Sequence, residues 1–119
     1  MSIGRVVAAL SLISLFACVQ KAYDRVVVYE ADVSGLKDIR VVGVRGNDKP
    51  LSWEQDRALT MVVKDSLYRV TVRYHTGNLV TKAKFTVNGE FELRDKPNRR
   101  VVFAAGDTTF YKARFNQDQ

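Results

Sequence analysis

From Arg25 onward the apolar residues recur with a period of two rather than 3.6, which predicts strands and no helix. Val26 and Val28 alternate with Val27 and Tyr29, and Ser34-Gly35 then marks a turn ahead of an extended run from Ile39 to Val44. A break at Gly46-Asn47-Asp48-Lys49-Pro50 leads to Leu51 and Trp53, and a short apolar piece follows from Ala58 to Val63. The alternation is cleanest next. Tyr68, Val70, Val72 and Tyr74 fall on one face of a strand, with Arg69, Thr71 and Arg73 on the other. After the turn at Gly77-Asn78, the run Val80 to Val87 sets Ala83, Phe85 and Val87 against Lys82, Lys84 and Thr86. Asn88-Gly89 then predicts a two-residue type I′ hairpin, because both positions need positive φ, with Glu90 to Leu93 as the partner strand. Arg99 to Ala104 and Thr108 to Phe115 complete about seven to eight strands, separated by turns about every 8 to 12 residues. The expected fold is all-β, an immunoglobulin-like antiparallel β-sandwich spanning 25–115, with 116–119 as a frayed end.

Length and composition narrow the chemistry. The chain has 119 residues with a formal charge of +6, room for one domain and not for a multi-domain enzyme. Its one cysteine forms no internal disulfide, and its one histidine, His75, is expected as a polar turn residue rather than a metal ligand. No nucleophile with its base, no paired acids across a cleft and no metal set emerges, so the chain is expected not to be an enzyme and to need no cofactor or metal. Glu90 and Glu92 share a face of their strand, and the expectation for both is a solvated carboxylate. Arg69, Arg73, Lys82, Lys84, Arg94, Lys96, Arg99 and Arg100 are expected to form a basic surface. Brief basic pairs without interleaved aromatics argue against nucleic acid as a partner.

The amino terminus looks like an address. Arg5 gives a cationic start, and the apolar run from Val6 to Ala17 is shorter than the roughly 20 residues of a membrane span yet suits a signal peptide. Leu15-Phe16-Ala17-Cys18 resembles a bacterial lipobox, with Phe16 where a small residue is usual. The resemblance implies a signal segment over 1–17, lipidation of Cys18, and a short tether over 18–24 holding the domain to the membrane. Val19 after the cysteine is similar to outer-membrane sorting signals, if the host is Gram-negative. Ordinary cleavage after Ala17 would instead leave a periplasmic or secreted protein.

A second resemblance runs through the body. Val42-Gly43-Val44-Arg45-Gly46-Asn47, Pro50-Leu51-Ser52-Trp53-Glu54, Ala83-Lys84-Phe85, Phe91-Glu92 and Pro97-Asn98-Arg99 follow one another in order. That order resembles the starch-binding domains of carbohydrate-binding module family 20 and, more loosely, the family 48 glycogen-binding domains. The resemblance implies one glucan site, with Trp53 and Phe91 as a stacking pair and Lys84 and Asn98 as polar partners. Phe91 stands where the family has a second tryptophan, and Ala83 where it has a tyrosine. Aromatic planes suit the apolar C–H face of glucose, while an amide and an ammonium suit its hydroxyls. Each residue also has a plainer reading: Trp53 and Phe91 as core, Lys84 as a solvated lysine, Asn98 as a turn residue bonding its own backbone. The implied partner is a polysaccharide or oligosaccharide, α-glucan first. The other function class is an envelope lipoprotein that engages a protein partner through an exposed strand edge and binds no sugar.

Overall fold

The computed structural model describes residues 21–106 and 108–118. The expected signal segment and residues 18–20 of the tether, Cys18 included, lie outside the described residues. Those described fold as a β-sandwich without a helix, as the period-two pattern predicts. Nine strands follow in chain order: β1 (Tyr23–Asp32), β2 (Val42–Gly46), β3 (Arg57–Ala58), β4 (Thr60–Val63), β5 (Leu67–Thr76), β6 (Val80–Val87), β7 (Glu90–Phe91), β8 (Arg99–Val102) and β9 (Thr108–Arg114). Two of them are only two residues long, which accounts for the excess over the expected seven to eight.

One sheet runs β4-β5-β1-β9 and the other β3-β2-β6-β7, with β8 also paired to β6. All pairs are antiparallel except β1 with β9, which run parallel in register from Val26↔Thr108 to Asp32↔Arg114. The parallel pair departs from the all-antiparallel expectation, because side-chain period says which face is buried and nothing about which strand lies alongside.

Inward positions make the core. Val27, Tyr29 and Ala31 of β1 with Val72 and Tyr74 of β5 face Val42 and Val44 of β2, Phe85 of β6 and Val101 of β8. Tyr29 meets Phe85 edge-on across the two sheets, ring centroids 6.3 Å apart. The Tyr29 and Tyr74 hydroxyls satisfy each other in the core at 2.6 Å. Burial pushes both phenols up, Tyr74 to about 12 and Tyr29 further still.

Several boundaries move for local reasons. Asp38 lies at positive φ, and the Asn88 side chain takes the Arg40 and Val41 amides at 2.8 and 3.1 Å, so β2 begins at Val42 instead of Ile39. The piece from Ala58 to Val63 divides because Leu59 is buried where the chain crosses from one sheet to the other. The strand after the hairpin ends at Phe91, since Leu93 turns to φ 51. β1 starts at Tyr23, ahead of the expected boundary at residue 25. The expected frayed end at 116–119 is docked over its first residues: Leu93 N–H donates to Asn116 Oδ1 at 2.8 Å, and the Gln117 carbonyl accepts from Arg99 at 2.9 Å. His75 lies within β5, exposed, with Nδ1 2.8 Å from Asp24 on β1.

Candidate functional site

Because Val44 and Phe85 point into the core, their neighbours Arg45 and Lys84, paired across β2 and β6, must point outward. Thr86 faces the same side, and its register partner is Phe91 on β7. The turn that delivers Phe91 is the expected type I′ hairpin, with Asn88 at φ 53 and Gly89 at φ 80.

Trp53 arrives from the loop after β2. Asn47 fastens that loop by accepting the Lys82 amide at 2.9 Å, and Leu51 is buried as its apolar anchor. A Cβ on Gly46 would lie 3.1 Å from Leu51 and 2.7 Å from the Lys82 carbonyl, so the close approach requires glycine. Arg45 then holds the end of the loop. Its Nε donates to Asp56 Oδ1 at 2.7 Å, its Nη1 donates to the Trp53 carbonyl at 3.0 Å, and its guanidinium carbon lies 4.9 Å from the Phe91 ring centre. Thr86 Oγ1 donates to the same Asp56 oxygen at 2.9 Å. One arginine thus fixes the backbone of one ring and packs on the other.

The Trp53 and Phe91 rings are both half-exposed, 6.2 Å apart between centroids and inclined at 55°. Together with Lys84, Glu90, Arg94 and Asn98 they line an open cleft of about 930 Å³. The structure therefore brings all four sequence-selected residues, Trp53, Lys84, Phe91 and Asn98, to one surface. Lys84 is more constrained than a solvated lysine. Its Nζ donates to the Leu93 and Lys96 carbonyls at 3.0 and 3.1 Å, which ties down the loop over 93–98 and leaves one ammonium hydrogen for the cleft. Asn98 is exposed, and its amide makes no hydrogen bond to another described residue. Glu90 and Arg94 face each other at 3.9 Å on the rim.

Two expectations need correction. Glu92 is fully buried, not solvated. Its carboxylate receives Arg99 Nε and Nη2, each at 2.7 Å, the Phe85 amide at 2.7 Å and the Asn116 amide at 3.1 Å. Arg99 accordingly leaves the basic surface, with a side chain only 4% exposed. Burial alone would lower its pKa, but the Glu92 hydrogen bond and charge, with help from Tyr111, outweigh that and hold the guanidinium above its ordinary value. The pair lies beneath the cleft, bracing the segment that carries Phe91 to Asn98.

Arg45 and Asp56 are the site residues that sequence reasoning missed. Arg45 sits at an outward strand position, which is also where any solvated cation would sit. The signal was the Gly43 two residues before it: a Cβ there would lie 2.8 Å from Asp56 and 2.7 Å from Thr86, so the outer face is packed at that point. Among the described residues, no group of three or more His, Cys, Asp or Glu side chains is placed to hold a metal. No family model matches the chain, and no curated protein matches it.

Proposed function

We propose that this chain is a non-catalytic carbohydrate-binding module, exported and tethered to the cell envelope through Cys18, which holds an α-glucan or related glycan. The observation that carries this reading is the V formed by Trp53 and Phe91, inclined at 55° in an open cleft. A hexose stacks its apolar face on such a ring, and two inclined rings suit successive sugars of a curved chain better than those of a flat one. The remaining hydrogen on Lys84 and the exposed Asn98 amide, which has no hydrogen bond to another described residue, offer donors and an acceptor to hydroxyls at the edge. Lipid on Cys18 would make the module a surface tether for its ligand.

The test is tryptophan fluorescence, since Trp53 is the only tryptophan in the chain. Maltoheptaose or β-cyclodextrin should shift the emission. Trp53→Ala should abolish retention on amylose, weakening binding by at least about tenfold, with an unchanged circular dichroism spectrum. No response to either sugar, and no retention of the wild type, would overturn the reading.

A second reading rests on a different place. Met61, Val62 and Val63 are about half exposed on β4, the edge of its sheet, where an added strand from a partner protein could pair. Co-purification of a protein that is lost on Val62→Lys, with no sugar response, would favour it.

A further inference from the structure

The ring pair does not stand at the end of a groove. Phe91, Glu90 and Arg94 also line a second cleft, of about 500 Å³, on the far side of the hairpin, where Lys37, Arg40 and Phe115 complete the wall. The two clefts adjoin, sharing Phe91, Glu90 and Arg94 as lining. Their charges differ. On the ring side Lys84 and Arg94 are matched by Glu90 and Asp95, whereas the second cleft gathers Lys37, Arg40 and Arg94 around Glu90 alone. Glu90 is already drawn to Arg94, and neither Lys37 nor Arg40 has a carboxylate partner among the described residues. Asp38 lies between them in sequence but does not line the cleft.

The backbone that carries Lys37 and Arg40 is fixed by the fold. Asn88 takes the Arg40 amide at 2.8 Å and donates to the Asp38 carbonyl at 2.9 Å, so the hairpin that presents Phe91 also fixes the loop bearing Lys37 and Arg40. Three cations around one acid repel one another, and an anion between them relieves that repulsion. Guanidinium groups in particular donate paired hydrogen bonds to carboxylate or phosphate oxygens.

From this we infer that the module's ligand is an acidic glycan: a sugar chain stacked on Trp53 and Phe91 whose neighbouring residue carries an anionic oxygen group, carboxylate or phosphate, into the pocket of Lys37, Arg40 and Arg94. The inference rests on the proposed sugar-binding reading and specifies its substrate class.

The experiment compares three heptasaccharides with one backbone: maltoheptaose, its C6-carboxylated derivative and its C6-phosphorylated derivative. Each is titrated by Trp53 fluorescence at low salt and at about 0.5 M NaCl, where charges more than a few ångströms apart are screened. At low salt at least one anionic form should bind about fivefold to tenfold more tightly than the neutral one, and whichever form gains identifies the anion. High salt should remove the gain. The double variant Lys37→Gln, Arg40→Gln should remove it too, while binding neutral maltoheptaose as the wild type does. Equal affinity for all three sugars, or a gain that persists in the double variant, overturns the acidic-glycan inference and leaves sugar binding standing. No binding of any of the three overturns both.

Discussion

Replacing Glu92 by glutamine is a near-isosteric change in size and a severe one in charge. The wild-type carboxylate accepts four hydrogen bonds, two on each oxygen: Arg99 Nε and the Phe85 amide on one, Arg99 Nη2 and the Asn116 amide on the other. A glutamine amide can present its oxygen to only one of those pairs. Its NH₂ then faces two donors, and the guanidinium of Arg99 stays buried with its counter-charge gone. Breaking a buried ion pair from one side costs about 3–5 kcal/mol, a large share of the roughly 5–15 kcal/mol by which a domain of this size is stable. At about 4–8 °C per kcal/mol the melting temperature should fall by roughly 12–40 °C. Urea titration followed by circular dichroism and by Trp53 fluorescence would measure the loss. Glu92→Met with Arg99→Met removes both charges and should be less destabilising than the sum of the two single changes, by about 2 kcal/mol or more. A loss under about 1 kcal/mol for Glu92→Gln would refute the argument that this pair braces the floor of the cleft.

Three further outcomes follow from particular contacts. The Tyr29–Tyr74 hydroxyl pair makes the fold sensitive to alkali. Both phenols are raised above their unfolded value near 10, Tyr74 to about 12, chiefly by burial, so their contribution is intact below about pH 10 and is lost as pH rises toward 12. Tyr74 alone should account for roughly 2–3 kcal/mol, and a melting temperature flat from pH 9 to 12 would contradict this. Gly43→Ala sets a methyl against Asp56 and Thr86 and should push Asp56 off Arg45, which holds the Trp53 loop. Amylose retention should fall several-fold, with about 1–3 kcal/mol of stability lost, whereas wild-type retention would break the proposed link from Gly43 to Trp53. Asn88→Gly keeps the positive φ but loses three side-chain hydrogen bonds, and Asn88→Ala adds about 1–2 kcal/mol of left-handed strain. The stability order in urea should be wild type, then Asn88→Gly, then Asn88→Ala, and equal midpoints for the two variants would remove the strain argument.

The parts of this molecule legible in the sequence are those written in a single strand's period. Val72 and Tyr74 against Arg73, or Phe85 against Lys84, state which face is buried, and Asn88-Gly89 states where the chain reverses. Those two signals suffice to put Lys84 and Phe91 on the same outer face, because Phe91 is carried back opposite Thr86 by a two-residue turn. What period does not encode is register between distant strands. The parallel pairing of β1 with β9 is invisible to it, and so is Arg45, whose place under Phe91 depends on β2 lying beside β6 with Arg45 opposite Lys84. Glu92 and Arg99 failed for a third reason. Alternation puts Phe91 outward opposite Thr86 and therefore Glu92 inward beside Phe85, just as it puts Arg99 inward with Val101, but only the pairing of β7 and β8 with the same strand β6 brings the two buried charges together. Outward positions such as Arg45 and Lys84 read as solvent-exposed until a neighbouring loop covers them, and here the covering loops, residues 47–56 and 93–98, are what convert one sheet face into a cleft. That conversion explains why the candidate site lies on the outside of the β2-β6 sheet. On that face a glycine at 43 and a lysine at 84 let loop backbone and an acidic side chain come close enough to hold two rings at an angle.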